Sequence, residues 1–478
     1  MATVIKTPGV YIQEISKLPA SVAAVATAIP AFIGYTEKRR KDSVTLGPNV
    51  PVRITSFPEF EEIFGGPESE ELDVTVHDKL TGPAGDLISR TITVAQADPS
   101  EHNLYHAVQM YFANGGGPCY IVSVNPNPHT FPVAAFSKDD FEDGLDAIKK
   151  VDEPTLLLMP ETADGLNADD HYELAQKMLA QCASLQDRFT IIDTHNSDSD
   201  TVDASTTLGI DDLKYGAVYH PYLRSSIVVP YVDADVTITH TTDDGDTNPA
   251  GAFDGLGLDD LSSEGANTNL AVYYQIKGEI NRQAKVILSP GSSVAGIYAR
   301  VDRERGVWKA PANVSVRSVA EPLLNISAEE QENLNVNAVS GKSINAIRTF
   351  SGKGVLVWGS RTLAGNDNEW RYVPVRRLFI FVEESVKKAT EFVVFEPNTA
   401  GTWQRVKGMI ENFLVKLWRE GALAGAKPEQ AFFVKVGLGE TMTPLDILEG
   451  RMNVEIGMAA VRPAEFIILK FSHKLQES

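Results

Sequence analysis

Asp139-Asp-Phe-Glu-Asp-Gly-Leu-Asp-Ala-Ile-Lys-Lys150, then Thr155-Leu-Leu-Leu-Met159, a run from Asp169 to Ser184 and Phe189-Thr-Ile-Ile-Asp193 succeed one another, and their order decides the fold class. Phe141, Leu145 and Ile148 recur at steps of four and three, the spacing of one helix face, whereas Thr155 to Met159 is a short unbroken apolar run. The next helix and strand repeat the unit, and Gly216-Ala-Val-Tyr219 and Ile227-Val-Val229 continue the series. Apolar strands alternating with amphipathic helices predict βαβ units around a largely parallel sheet buried on both faces. Residues 126–345 are therefore expected to form an α/β domain. Its Asp/Gly/Thr/Asn-rich stretch near 239–269 is expected as a surface insertion.

Upstream, Val52-Arg-Ile-Thr-Ser-Phe57 reads as a strand, and Ser56 opens a short helix through Phe64 that Gly65-Gly66-Pro67 stops. A helix from His106 to Ala113, the turn Asn114-Gly-Gly-Gly-Pro118 and the buried strand Cys119-Tyr-Ile-Val-Ser-Val124 complete a region 21–125, with an outer insertion near 68–99. Residues 1–20 hold Thr7-Pro-Gly-Val-Tyr-Ile-Gln-Glu-Ile15, too little apolar surface for a core, and read as an extended arm. From 346 to 463 the pattern becomes α+β: a strand Gly354-Val-Leu-Val-Trp358, a strand-to-helix run Val373 to Thr390, a long helix, and the alternating Arg451-Met-Asn-Val-Glu-Ile-Gly-Met458. Residues 464–478 form a second arm, β-prone over Ala464-Glu-Phe-Ile-Ile-Leu-Lys-Phe-Ser472.

The long helix, Thr402 to Gly421, gathers Trp403, Val406, Ile410, Phe413, Leu414, Leu417 and Trp418 on one face. Arg405, Lys416 and Arg419 leave the opposite face within ~60° of one another, on a rod ~30 Å long at 1.5 Å per residue. That basic strip stands on a chain of 478 residues with net charge −21. Residues 161–260 carry 20 acids against four bases, whereas 348–478 carry 18 bases against 15 acids. An acidic chain of this kind excludes general nucleic-acid binding and docking on anionic membranes, both of which need Lys and Arg. No apolar run reaches the ~18 residues of a membrane span, and no basic stretch leads into an apolar one at the start. Two cysteines, Cys119 and Cys182, exclude a disulfide scaffold and a four-Cys zinc site, and point to a reducing cytoplasm.

No motif carries chemistry. Gly341-Lys342-Ser343 lacks the upstream glycine of a phosphate-binding loop, since Val336 stands there. Asp193 and His195 lie in a loop with no Gly-x-Ser-x-Gly elbow to complete a hydrolase triad. The nine histidines show no zinc-helix spacing, and Asp243-Asp-Gly-Asp246 lacks the alternating ligands of a calcium loop. No catalytic residue, metal site or cofactor is assigned.

The chain resembles the contractile tail sheath proteins. The resemblance is carried by Thr7 to Ile15 with Thr27-Ala-Ile-Pro-Ala-Phe-Ile-Gly-Tyr35, by Phe112-Ala-Asn-Gly-Gly-Gly-Pro-Cys-Tyr120, and by Asp302-Arg-Glu-Arg-Gly-Val-Trp-Lys-Ala-Pro-Ala-Asn313. Further blocks are Ile344-Asn-Ala-Ile-Arg-Thr-Phe350, Val375-Arg-Arg-Leu378, Phe395-Glu-Pro-Asn398, Trp418 to Met442 and Arg462-Pro-Ala-Glu-Phe466. It implies a subtilisin-like α/β sheath domain without a protease site, an α+β C-terminal domain facing an inner tube, and terminal β arms. It implies a non-enzymatic part that polymerises as stacked hexameric rings around the tube and contracts to drive it through a target envelope. The partners implied are further copies of the chain, the inner tube protein, baseplate and terminator or cap proteins, and paralogous sheath proteins. Nucleic acid and membrane insertion play no part. Assembly in the bacterial cytoplasm, then a place in a phage tail or phage-like particle, follows from the same resemblance. Arg405, Lys416 and Arg419 are then expected to meet acidic groups on the tube, and Val10, Tyr11, Ile12, Phe466, Ile468, Leu469 and Phe471 to form strands added to neighbouring subunits. Two other classes stay open on the residues alone: a static self-assembling shell protein and a soluble α/β hydrolase.

Overall fold

The computed structural model describes residues 22–82, 85–96, 99–131, 135–205, 207–243 and 249–468. They fall into two compact units, 26–381 with 462–468 and 22–25 with 382–461.

The larger unit is organised by a nine-stranded sheet. Six parallel strands form its middle, ordered Ile344–Phe350, Gly216–His220, Phe189–Asp193, Leu156–Leu158, Pro30–Gly34 and Cys119–Ser123. Gly354–Val357 and Val314–Ser315 add antiparallel strands at one edge and Pro51–Ile54 at the other. Every residue of Pro30–Gly34, Leu156–Leu158, Phe189–Asp193 and Gly216–His220 is buried, so both faces are covered, as unbroken apolar strands require. Helices Lys138–Ile148 and Ala168–Leu185 cover strands Pro30–Gly34 and Phe189–Asp193, and bury Phe141, Leu145 and Ile148 as their spacing predicts. Helices Leu104–Ala113 and Gly291–Arg305 pack on each other at Gly296, where an added Cβ would lie 2.4 Å from the Tyr111 carbonyl oxygen. Ser56 caps the helix Phe57–Phe64 by accepting from the Glu59 N–H, the start that the sequence predicts.

Several elements depart from expectation. Leu223–Val228 does not continue the parallel series: it pairs antiparallel with Lys285–Leu288 and Val319–Pro322 in a separate three-stranded sheet. Its alternating burial shows why, because one face stays wet. The two expected insertions, near 68–99 and 239–269, are one structure. Leu72–Leu80 pairs parallel with Val236–Asp243 and antiparallel with Leu87–Gln96, and Leu256–Gly257 completes a four-stranded sheet. Helix Leu270–Gln283 seals it with Val272, Ile276 and Ile280 against Leu72, Val74, Val76, Val236 and Ile238. At its centre Arg90 binds the buried Asp78 carboxylate through two hydrogen bonds of 2.6 Å, and His240 approaches the same carboxylate at 3.1 Å.

In the smaller unit, helix Ala400–Arg419 accompanies an antiparallel pair, Phe432–Lys435 with Glu455–Met458, and short helices Pro428–Ala431 and Pro444–Leu448. The expected boundary at 346 falls inside strand Ile344–Phe350 of the nine-stranded sheet, and the division lies at 381/382 instead. That point is within a single helix, Val373–Thr390, which replaces the expected strand-to-helix run because Val373 and Val375 are buried as its first turn.

Candidate functional site

In parallel α/β sheets a ligand site forms beyond the carboxyl ends of the strands. Here several polar groups are spent on structure. Glu161, wholly buried, accepts the Tyr35 N–H at 2.7 Å and the Leu104 N–H at 3.1 Å, so it caps the start of helix Leu104–Ala113 from a distance in sequence. Burial outweighs these bonds and lifts its pKa to about 8. Asp193 accepts the Gly291 N–H at 2.6 Å at the start of helix Gly291–Arg305, and burial lifts it to about 7. His195 does not pair with Asp193; its Nε2 bonds the Leu166 carbonyl at 2.9 Å. His171 Nε2 bonds the Asp193 carbonyl at 3.0 Å, and burial lowers its pKa to about 4, leaving it neutral. Lys342, from the Gly-Lys-Ser run, donates to the Val202 and Leu208 carbonyls at 3.2 and 2.7 Å and holds a loop, not a phosphate. Among the described residues no three His, Cys, Asp or Glu side chains converge as a metal site, and no helix is long and apolar enough to cross a membrane. Asp244 and Asp246 lie outside the described residues.

The basic strip belongs to the smaller unit. Helix Ala400–Arg419 buries Val406, Met409, Ile410, Phe413, Leu414 and Leu417, while Arg405, Asn412, Lys416 and Arg419 are exposed. Its two tryptophans fasten the ends: Trp403 Nε1 donates to Asn398 Oδ1 at 2.6 Å, and Trp418 Nε1 to the Gly425 carbonyl at 2.9 Å. Arg405 faces Glu396 at 3.7 Å with more than half its side chain in solvent, a weak pair in high dielectric. Beside it, Phe395 is fully exposed at a backbone φ of +69°, a conformation that a bulky side chain rarely adopts. The Asn398 side chain ties this loop to the Arg451 carbonyl at 2.9 Å, next to exposed Leu445 and Leu448. The sequence reading missed these apolar residues, since nothing local marks a phenylalanine as solvent-facing.

The other predicted residues concern the arms. Val10, Tyr11, Ile12, Leu469 and Phe471 lie outside the described residues. Phe466 and Ile468 are described, without strand assignment, at 73% and 80% exposure with Ile467 at 78% between them. Their candidate receiver is in the smaller unit. The pair Phe432–Lys435 and Glu455–Met458 forms a two-stranded sheet, so among the described residues each strand keeps one edge of unpaired backbone groups.

Comparison with known proteins agrees with this inventory. Residues 365–474 match the phage tail sheath C-terminal domain family. The chain is similar to a chain of the anti-feeding prophage baseplate, solved with six-fold symmetry, at 32% identity and a TM-score of 0.63, covering 99% of this chain and 100% of that one. It is similar to the sheath of an extracellular contractile injection system, PVC, in the contracted state, at 30% identity and a TM-score of 0.62, covering 99% of each chain. A tail sheath protein of Burkholderia phage BcepMu is 31% identical over 146 residues, 29% of this chain and 30% of that protein, so the match spans under a third of its length. Identity of 30% or more, sustained along whole chains of contractile systems, together with a sheath domain at the C-terminal end, means that this chain belongs to the contractile tail sheath family as a structural subunit and not an enzyme.

Proposed function

We propose that this subunit stacks as hexameric rings around an inner tube, and that its rings contract together to drive the tube through a target envelope. The observation that carries the reading is the solvent-facing basic strip Arg405, Lys416 and Arg419, on a helix whose other face is anchored in the core of the smaller unit. A rigid rod bearing three exposed cations, Arg405 only loosely paired with Glu396, is suited to grip an acidic cylinder. Such a rim contact is screened by salt and weak per pair, so it releases when the sheath moves. The six-fold symmetry of the matched baseplate and the contracted state of the matched sheath support the ring and the contraction.

In the same reading the larger unit is the subtilisin-like sheath domain, and the arms around Val10, Tyr11, Ile12 and around Phe466, Ile468, Leu469, Phe471 add strands to the open sheet edges of neighbouring subunits. Shared backbone hydrogen bonds are directional and keep rings joined while they rotate. The apolar, exposed run Phe466-Ile467-Ile468 supports this role. Baseplate, terminator or cap and paralogous sheath proteins complete the particle, which assembles in the bacterial cytoplasm.

The test is electron microscopy of the chain co-expressed with its tube and baseplate neighbours. Wild-type protein forms long regular tubes. The variant R405E/K416E, folded by circular dichroism, leaves the inner tube bare. Unaltered sheathing by the variant assigns the strip to solvent.

A further inference from the structure

The Arg462-Pro-Ala-Glu-Phe466 block of the family resemblance meets a segment far away in sequence at the base of the C-terminal arm. Glu465 sits one residue before the exposed run Phe466-Ile467-Ile468. Its carboxylate takes two hydrogen bonds from Arg361, Nε to Oε1 at 2.9 Å and Nη2 to Oε2 at 2.6 Å, and the Tyr372 hydroxyl donates to Oε2 at 3.2 Å. The Arg361 side chain is only 6% exposed, and Tyr372 lies beneath its guanidinium, 6.0 Å from carbon to ring centroid. A fork-on-carboxylate pair fixes direction as well as position, which a single point charge does not.

Arg361 is itself immobilised. Asn345, buried in strand Ile344–Phe350, accepts the Arg361 N–H at 2.7 Å and donates to the Arg361 carbonyl at 2.8 Å and to the Val218 carbonyl at 3.1 Å. The chain of contacts therefore runs from the nine-stranded sheet, through one asparagine and one guanidinium, to Glu465 at the root of the arm.

We propose that Arg361 with Glu465 is a root clamp that fixes where the C-terminal arm leaves the larger unit. Glu465 is a positioning residue: held by Arg361 of its own chain, it sets the departure point of a segment that must reach a neighbour. An arm hinged on a free tether samples a wide volume and pays that entropy when it docks, whereas a clamped root presents the arm in a narrow cone. This rests on the strand-exchange reading above. The clamp itself is a property of the isolated chain.

The test uses the full chain with E465Q, which keeps the size and removes the charge, R361K, which loses the fork, and the exchanged pair R361E/E465R. A spin label at I467C of the isolated chain is expected to move more freely in E465Q and R361K than in the otherwise wild-type chain, with the circular dichroism unchanged. Exchanged charges are expected to restore part of the restraint. Co-expressed with the tube, E465Q is expected to give fewer and shorter sheaths. Unchanged label mobility in E465Q overturns the clamp, and a freed label with normal sheaths overturns its role in assembly. If wild-type chain forms no tubes, the strand-exchange reading fails while the label mobility still decides the clamp.

Discussion

Glu161 shows how one side chain is committed by its surroundings. It replaces a local N-cap for helix Leu104–Ala113, where the Asn103 side chain makes no capping bond, and the close approach leaves no room for a Cβ at Gly34, 2.4 Å from its Oε2. With its pKa lifted from an ordinary carboxylate value to about 8, the folded chain holds a proton that the unfolded chain has lost between those two values. Stability from this group is therefore full in acid and falls as pH rises toward 8, by at most about 1.4 kcal/mol per pH unit. Asp193, lifted to about 7, and Asp164, lifted to about 6, act in the same direction. The melting temperature is expected to drop between pH 6.5 and 8.5, and E161Q is expected to flatten that drop while lowering stability in acid, because its amide faces an N–H donor. An equal slope in both proteins refutes the assignment. Nothing in the sequence around Glu161 marks it, since its partners Tyr35 and Leu104 come from other segments.

At the scale of the element, most of helix Ala400–Arg419 was legible: Val406, Ile410, Phe413, Leu414 and Leu417 are buried and the cations exposed, while Trp403 and Trp418 stay partly in solvent. The structure adds Met409 to the core side. Truncation separates the faces. Phe413→Ala is expected to cost about 3–5 kcal/mol in chemical denaturation of the isolated chain, whereas Lys416→Ala is expected to stay within about 0.5 kcal/mol. A large loss for Lys416→Ala places it in the fold and removes it from the tube contact. Helix Gly291–Arg305 is the opposite case. Its residues from Gly291 to Val301 are all buried, so it carries no polar face and no period by which a sequence reading finds it.

For the whole molecule, the proposed role lies in what one subunit cannot complete alone. Among the described residues its smaller unit has open sheet edges, and exposed apolar residues stand at 466–468. Deleting residues 1–15 or 464–478 is expected to leave a folded monomer that forms no tubes by electron microscopy, the second with a lowered melting temperature because the buried Arg361 loses Glu465. Normal tubes from either truncation dismiss strand exchange, and a collapsed melting temperature places that arm in the fold of its own subunit. The concentration of acids in 161–260 keeps such assemblies apart by like charge.

What the sequence determined by itself were features set by neighbours along the chain. The parallel α/β class, the Ser56 cap and the two faces of the long helix follow from periods of two and 3.6 and from local capping, which need no tertiary partner. The hydrolase reading stayed open on the residues alone, and the match to sheath proteins closed it. What only the tertiary structure decided are relations between distant segments. Leu72–Leu80 pairs with Val236–Asp243 across more than 150 positions in a register no local signal encodes. Leu223–Val228 leaves the main sheet because of which strands lie beside it. Arg361 meets Glu465, and Glu161 meets two helix and strand ends, because folding and not sequence spacing brings them within hydrogen-bond reach. Burial and partner choice are properties of the packed chain, and they alone turn a scattered set of charged residues into caps and clamps.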